Sequence, residues 1–223
     1  MINNEVYQEL INKANDFNDI IIGISDISYS EFAERFNCAI ILAVQHKKVI
    51  TLENYIEDEF DRALSETRSY CIEIINELCN ILKKYNIEYF IPQTRQKNEQ
   101  ELIAPFSFKF AAVNAGIGWI GKNNLLITKK FGPRVTLGAI LVNSNFPTGR
   151  PINNSMCDEK CLLCVLSCPY NALKGIVWTP ETKRNEMIDY NLCNQKRSLF
   201  IQNHNRKNSC GLCIVSCPLG LNK

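Results

Sequence analysis

The sequence predicts an α+β protein in which a mixed α/β domain, residues 1–150, precedes a small cysteine-rich domain, residues 151–223. Short apolar, β-branched runs alternate with helical patterns in the first half of the chain. Eight of the 11 cysteines, by contrast, lie between residues 157 and 217. The stretch between these two parts, residues 143–155, is rich in Asn, Pro, Gly and Ser, which is typical of a boundary between domains.

The first half begins with a helical pattern over "EVYQELINKAN" and continues with two buried-strand patterns, residues 19–25 and 38–44. A long helix is predicted from about residue 52 to residue 85, because apolar residues recur there every three or four positions. Cys71 and Cys79 lie on this apolar stripe, so we interpret both as core residues. Other residues of the stripe include Ile56, Phe60, Leu64, Ile75, Leu78 and Leu82.

Three further strands are predicted at residues 87–92, 124–128 and 135–142. The last two would be joined by a turn at residues 131–133, where Gly and Pro stand together. A helix over "FSFKFAAVNAG" is expected to end at Gly116.

Composition and charge narrow the class of protein. The chain is 46% hydrophobic and 22% charged, which is ordinary for a globular protein, and it has neither an apolar run of 18 residues nor a signal-peptide pattern. We therefore expect no membrane insertion and a cytoplasmic location. Residues 1–104 carry 10 Lys and Arg against 18 Asp and Glu, whereas residues 105–223 carry 15 against 5. The basic half indicates an anionic partner, or compensation for buried negative charge within the fold.

A glycine-rich loop, "NAGIGWIGKN" at residues 114–123, matches both G-x-G-x-x-G and part of a P-loop. A dinucleotide turn needs a strand before it and a helix after it, and the predicted order here is the reverse. Asn123 stands where a P-loop has Ser or Thr. Two interpretations remain: a loop that approaches a bulky flat cofactor, or a tight connection with the indole in the core. The candidate cofactor-binding residues are Gly116, Gly118, Trp119, Gly121 and Lys122.

The cysteines follow a recognisable spacing. "CDEKCLLCVLSCP" and "CGLCIVSCP" each contain the C-x2-C-x3-C-P part of the bacterial ferredoxin pattern. In that pattern the cysteine before proline ligates the other cluster of a pair. The two motifs of this chain supply seven cysteines, and Cys193, which lies between them, supplies the eighth. The sequence thus predicts a ferredoxin-like module with two 4Fe–4S clusters. One would be held by Cys157, Cys161, Cys164 and Cys217, and the other by Cys168, Cys193, Cys210 and Cys213.

Zinc sites and disulfides are the alternatives for these eight cysteines. The paired C-P motifs without a nearby ligand histidine favour iron–sulfur clusters, and we interpret His46 and His204 as structural or solvated. Such clusters carry net negative charge. Basic residues of the second half could offset it, namely Lys160, Lys174, Arg197 and Arg206.

"AAVNAGIGWIGKNNLLIT", then "FGPRVTLGAIL" and the two cysteine-proline motifs, resemble the epoxyqueuosine reductase family. The similarity is greatest to its short members with a 4Fe–4S double-cluster domain, and reductive dehalogenases are more distant relatives. The resemblance implies a cobalamin-binding, nitroreductase-related α/β domain, with the glycine loop beside a base-off corrinoid. It also implies an electron donor such as ferredoxin or flavodoxin, and a small-molecule or tRNA substrate. For tRNA, the expected phosphate contacts are Lys129, Lys130 and Arg134.

The sequence departs from the family pattern at two positions. Leu102 stands where the family has a proton-donating aspartate, with Glu101 beside it, and Phe108 stands where short relatives have histidine. The expected function is a reductase in which two clusters pass electrons to a corrinoid-type site in the N-terminal domain. The alternatives are an electron-transfer protein without a corrinoid, docking through its basic half on an acidic partner, and a protein that reduces a corrinoid or flavin for another enzyme.

Overall fold

A computed structural model of the chain describes residues 2–93, 104–195 and 210–221. The positions Glu101, Leu102, Arg197, His204 and Arg206, to which the sequence assigns roles, lie outside these ranges. The chain forms two compact units. The first consists of residues 1–45, 68–117 and 136–152, and the second of residues 46–67, 118–135 and 153–223. The division of the chain into two domains, residues 1–150 and 151–223, stays a prediction.

The first unit is built on a four-stranded sheet. Its strands are β1 (Ile20–Asp26), β2 (Cys38–Gln45), β3 (Tyr89–Phe90) and β6 (Val135–Val142), and they stand in the order β1-β2-β6-β3. β1 and β2 are antiparallel, with Ile20 opposite Val44 and Asp26 opposite Cys38. β2 is buried along nearly its whole length. Its uninterrupted apolar sequence is what a strand covered on both faces requires.

Helices α1 (Ile2–Asn15), α2 (Glu57–Lys84) and α3 (Phe108–Asn114) accompany this sheet. The core of the unit combines apolar residues of α1, such as Leu10, with Ile40 of β2, Leu78 of α2 and Ile140 of β6. Residues 57–67 of α2 belong to the second unit and residues 68–84 to the first. Cys71 and Cys79 are 3% and 2% exposed, which confirms that they are core residues.

Several predicted elements are shorter than the sequence suggests, the long helix and the strand at residues 87–92 most clearly. α2 begins at Glu57 rather than near Leu52, and Ile56, predicted to lie on its apolar stripe, is 56% exposed. The segment before it forms only a short 3-10 helix, Leu52–Asn54. The strand predicted over residues 87–92 is reduced to β3, Tyr89–Phe90. Pro92 has no N–H to donate to a ladder, which limits extension of this strand.

The second unit contains a two-stranded antiparallel sheet of β4 (Gly118–Ile120) and β5 (Leu126–Thr128). Its cysteine-rich part contains the short helices α4 (Leu163–Leu166), α5 (Arg184–Met187) and α6 (Leu212–Val215). The predicted turn after residue 128 exists, with Thr128 and Gly132 hydrogen-bonded to each other in both directions. β5 nevertheless pairs with β4, while β6 pairs within the other sheet, because residue pattern predicts strands but not their partners.

Candidate metal centre

Four cysteines from two distant segments of the second unit line one cavity of about 120 Å³. Three of them, Cys157, Cys161 and Cys164, come from the first motif, and the fourth, Cys217, comes from the end of the second. We call these four residues set 1. Burial, together with the other three thiols of the set, raises the pKa of the Cys164 thiol to about 11. The structure therefore brings together the four thiols that the sequence groups into one cluster site.

The other four cysteines, Cys168, Cys193, Cys210 and Cys213, form set 2. Burial raises the pKa of Cys213, and repulsion by the thiolates of Cys210, Cys193 and Cys168 raises it further, with a contribution from Cys164 of set 1. Burial likewise raises the pKa of Cys210, and Cys193 and Cys168 again contribute. These effects indicate that the thiols of set 2 influence one another, and the short helix that carries Cys164 of set 1 packs against the one that carries Cys213 of set 2.

Short helical turns aim the cysteines of both motifs. Cys164 lies in α4 and Cys213 lies in α6, and these two turns pack against each other. The N–H groups of Cys168 and Cys217 donate to the carbonyl oxygens three residues earlier, at Val165 and Ile214. Each turn therefore ends at the cysteine that precedes proline, which cannot continue the helical hydrogen bonding.

Gly211 permits the approach of the second motif to α2. Its φ of +67° lies in the left-handed region, and a Cβ there would lie 2.1 Å from the Phe60 ring. Glycine is the residue that adopts this conformation without strain and leaves room for the ring. The position follows Cys210 directly, so the glycine fixes the direction in which Cys210 and Cys213 leave the loop.

Lys122 is buried beneath the loop of the first motif, with 2% of its surface exposed. Its Nζ donates to the carbonyl oxygens of Asp158 at 2.9 Å, Glu159 at 2.7 Å and Cys161 at 3.1 Å. These bonds use all three donors of the ammonium group. Among the described residues, no carboxylate forms an ion pair with Lys122. The residue also lines the cavity of set 1, so a positive charge stands there with carbonyl dipoles alone as its partners.

A second buried cation, Arg134, holds the segment around Cys217. Its Nη2 donates to the carbonyl oxygens of Cys217 at 2.7 Å and Val215 at 3.2 Å, and its Nη1 donates to that of Leu219 at 3.0 Å. Nε donates more weakly to Ile50 at 3.4 Å. Burial lowers the pKa of this guanidinium, and the nearby Cys217 thiolate opposes that effect. The expectation that Arg134 contacts a phosphate is wrong, because the residue is 2% exposed and donates to carbonyl oxygens.

Uncharged and acidic groups of the described residues lie beside Cys210 and Cys213 of set 2. The hydroxyl of Tyr55 donates to the carbonyl oxygen of Cys210, and the Asn123 side chain donates to that of Cys213 at 3.1 Å. Burial raises the pKa of Cys210, and the Glu57 carboxylate is among the charges that raise it further. Burial also raises the pKa of Tyr170, to which Cys210 and Glu57 add. A half-buried carboxylate and two phenols therefore neighbour this set.

The glycine loop follows α3, so the predicted helix-then-strand order is confirmed, but the loop itself contains β4, a strand that the sequence did not predict. Its glycines are required by the chain itself. Gly116 has a φ of +72°, and a Cβ there would lie 2.8 Å from the Arg150 carbonyl oxygen. A Cβ at Gly118 would lie 2.2 Å from the Ile127 carbonyl oxygen, and one at Gly121 would lie 2.2 Å from the Ile127 side chain. Trp119 is 4% exposed, and its Nε1 has no hydrogen-bond partner among the described residues.

The structure also describes four other positions to which the sequence assigns roles. Lys160 is exposed, and the Nζ of Lys174 donates to the carbonyl oxygen of Asn185 at 2.7 Å. His46 is 5% exposed and its ring makes an edge contact with Phe60, while Phe108 is the first residue of α3. Sequence reasoning did not find Tyr55 and Glu57, and it gave Arg134 another role. In the sequence, each of these three residues is a polar residue in a segment without a recognisable motif.

Alternatives to clusters can be tested against the geometry. All 11 cysteines lie in the described ranges and none forms a disulfide. Within those ranges, no three His, Cys, Asp or Glu side chains are grouped closely enough to hold one metal ion. Four thiolates around one zinc ion at about 2.3 Å would lie only about 4 Å from one another. A cubane cluster binds each thiolate through a different iron, so its thiolates lie further apart.

No family model matches the chain. The chain is 33% identical over 150 residues to an epoxyqueuosine reductase of Listeria monocytogenes, a match that covers 65% of this chain and 37% of that protein. The match therefore spans well under half the length of this curated relative. The resemblance to the epoxyqueuosine reductases that the motifs indicate is confirmed.

Solved structures show the same fold. An epoxyqueuosine reductase with a tRNA-Tyr epoxyqueuosine-modified stem loop superposes with a TM-score of 0.62 at 17% identity, over 98% of this chain and 67% of that one. A reductive dehalogenase, whose structure suggests a mechanism for B12-dependent dehalogenation, gives 0.66 at 14% identity, over 91% of this chain and 30% of that one. The expected mixed α+β fold class is thus confirmed. Of the helices in the described ranges, none is both long enough and apolar enough to cross a membrane.

Proposed function

We propose that this relative of the epoxyqueuosine reductases is an iron–sulfur oxidoreductase that holds two 4Fe–4S clusters, one on each set of four cysteines. Such clusters accept and release single electrons. The observation that carries the proposal is the cavity of set 1, where four thiols from two segments far apart in sequence converge beside the Lys122 side chain. Cysteine thiolates are the ligands that iron–sulfur clusters require.

The buried charges support an anionic occupant. Burying a cation is costly unless negative charge or hydrogen bonds compensate it. Among the described residues, Lys122 and Arg134 donate hydrogen bonds only to carbonyl oxygens. Both side chains hold the backbone of set 1. Four thiolates around a cluster supply the missing negative charge.

The proposed recipient of the electrons is a corrinoid-type group bound in the N-terminal part of the chain. Support comes from the resemblance to epoxyqueuosine reductases and from the fold shared with a dehalogenase described as B12-dependent. The residues of the glycine loop do not supply a fit of their own. Gly118 and Gly121 face Ile127, and Lys122 is hydrogen-bonded to the cysteine loop. Among the fully buried side-chain atoms of the described loop, the Trp119 Nε1 is the one without a hydrogen-bond partner.

That loop favours the second candidate, an electron-transfer protein without a corrinoid. If the loop's glycines and Lys122 have a purely structural role, the loop binds no corrinoid. The clusters would then deliver electrons to another redox enzyme. A substrate for the first candidate is either a small molecule or tRNA, and tRNA is suggested by the reductase solved with a tRNA stem loop.

One experiment separates the candidates. The chain is purified without oxygen, its iron and sulfide are measured, and absorption spectra are recorded with added cobalamin during reduction by dithionite. The reductase proposal predicts about eight irons per chain, from two four-iron clusters, and a cobalamin spectrum altered by the protein. Eight irons with an unaltered cobalamin spectrum would leave the electron carrier. Far fewer irons, or zinc in their place, would contradict both candidates.

A further inference from the structure

We propose that Lys122 raises the reduction potential of the cluster on set 1, because its ammonium group is a fixed, buried positive charge in the wall of that cavity. This inference rests on the proposed function. The neighbouring residue Asn123, which holds the second cysteine motif without carrying a charge, provides the comparison that tests it.

Lys122 and Asn123 lie at the tip of the hairpin formed by β4 and β5. The N–H of Gly121 donates to the carbonyl oxygen of Leu125 at 2.9 Å, and the N–H of Asn124 donates to that of Gly121 at 2.8 Å. These two bonds close a tight turn in which Asn124 has a φ of +56°, a conformation that asparagine adopts more readily than most residues. The turn therefore fixes where the two side chains leave the backbone.

The tip of this hairpin contacts both cysteine motifs. The Nζ of Lys122 donates to the carbonyl oxygen of Cys161 at 3.1 Å, and the Nδ2 of Asn123 donates to that of Cys213, also at 3.1 Å. The Oδ1 of Asn123 accepts from the Leu125 N–H at 3.2 Å, which fixes the orientation of the amide. Both side chains belong to residues that line the cavity of set 1. Two consecutive residues thus hold one motif each, and only one of them is charged.

The hydrogen bonds of Lys122 require its charged form. Its three partners are backbone carbonyl oxygens of the first motif, which can only accept, and three donors on Nζ exist only in the ammonium group. The residue is 2% exposed, and the cavity beside it is also lined by the apolar side chains of Ile127 and Leu163. A charge in such surroundings acts on its neighbours more strongly than a charge in water.

Reduction adds one negative charge to a cluster. A nearby cation stabilises the reduced form more than the oxidised form, and so raises the potential. Asp158 also lines the cavity, but it is exposed, and its carboxylate accepts from the Lys160 N–H at 2.7 Å. Solvent and salt screen an exposed charge. Asp158 is moreover present in the wild type and in every variant, so a comparison between them isolates the effect of Lys122.

The test is an anaerobic redox titration with dithionite of the whole chain, reconstituted with iron and sulfide and followed by electron paramagnetic resonance. Two backgrounds should each retain one cluster. In Cys213→Ser, which should keep the cluster on set 1, Lys122→Met should lower the midpoint potential. In Cys164→Ser, which should keep the cluster on set 2, the same replacement should shift it much less. Where a background holds no cluster, the protein with all its cysteines replaces it, and Lys122→Met should lower one reduction step more than the other.

Three further variants separate charge from position. Asn123→Ala removes the hydrogen bond to the second motif without changing the charge, and Lys160→Met removes an exposed charge from the loop of the first motif. Both should shift the potential of the set 1 cluster less than Lys122→Met does. Lys122→Gln removes the charge but keeps N–H donors, so it should reproduce the shift, and it carries the test if Lys122→Met loses its cluster.

Iron analysis shows which variants retain the cluster. The inference is overturned if a neutral Lys122 variant with its cluster keeps the wild-type potential, or if Asn123→Ala lowers the potential as much. Loss of the cluster from both neutral variants would also overturn it, because Lys122 would then serve assembly of the site. Each of these results, with normal iron in the wild type, would leave the proposed function standing. Absence of clusters from the wild-type protein would contradict the proposed function itself.

Discussion

Lys122 donates a hydrogen bond from Nζ to the carbonyl oxygen of Cys161, 39 residues further along the chain, over 3.1 Å. The same atom also bonds to the carbonyl oxygens of Asp158 and Glu159. One side chain of the glycine loop thus shapes the backbone of the first cysteine motif. Lys122 therefore connects β4 and the residues after it directly to the first cysteine motif.

Replacing one cysteine in each set should remove one cluster at a time. We expect Cys164→Ser and Cys213→Ser each to lose about four of about eight irons, because each residue ligates a different four-iron cluster. Iron and sulfide analysis of anaerobic protein checks this. Cys71→Ala is the control, since Cys71 is buried in the apolar core, and it should keep all its iron. Equal loss of both clusters from every ligand variant would argue against two separable sets.

Arg134→Lys should destabilise the protein although the charge is kept. The guanidinium donates to four carbonyl oxygens, and an ammonium cannot reproduce that fork. Hydrogen bonds to charged groups contribute about 1.5–3 kcal/mol each, so we expect the free energy of unfolding to fall by at least about 2 kcal/mol. Urea unfolding of the anaerobic protein measures it. Lys129→Arg, at an exposed position, should change stability by less than about 0.5 kcal/mol.

Gly211→Ala should lower the iron content of the protein more than Gly175→Ala does, because it should disrupt set 2. Both glycines have positive φ, +67° and +73°, so the backbone strain is similar. Only at Gly211 would the added Cβ also collide with a ring, 2.1 Å from Phe60, whereas at Gly175 the nearest atom is Leu162 Cδ2 at 3.2 Å. We expect Gly211→Ala to lower iron retention and Gly175→Ala to keep it. Comparable iron contents would contradict this role of Gly211.

The three core thiols should resist alkylation until high pH. Burial raises the pKa values of Cys38, Cys71 and Cys79 to about 11, and the thiolate is the reactive form. Because the folded-state pKa is raised, the stabilisation from the neutral thiols is complete below about pH 8.5, the usual thiol pKa, and is lost as pH rises through 11. Iodoacetamide labelling followed by mass spectrometry should therefore find these three unmodified at pH 8. Rapid labelling of native protein at that pH would count against the burial.

If tRNA is the substrate, its phosphates can contact Lys129 and Lys130, two exposed lysines directly after β5. Each phosphate contact contributes a slope of about −0.9 to the dependence of log K on log salt for double-stranded nucleic acid. Lys129→Gln/Lys130→Gln should weaken tRNA binding and make this slope shallower. An unchanged slope in the double variant would exclude these lysines as phosphate contacts.

The sequence by itself determined the fold class, the buried strands β1 and β2, the core position of Cys71 and Cys79, and the grouping of eight cysteines by spacing. These depend on local periodicity and on short gaps between like residues, which can be read along the chain. Only the tertiary structure decided that β5 pairs with β4, that α2 begins after Ile56, and that Lys122 and Arg134 support set 1. Those facts depend on which distant backbone carbonyls a side chain meets once the chain has folded, and sequence spacing carries no information about such meetings.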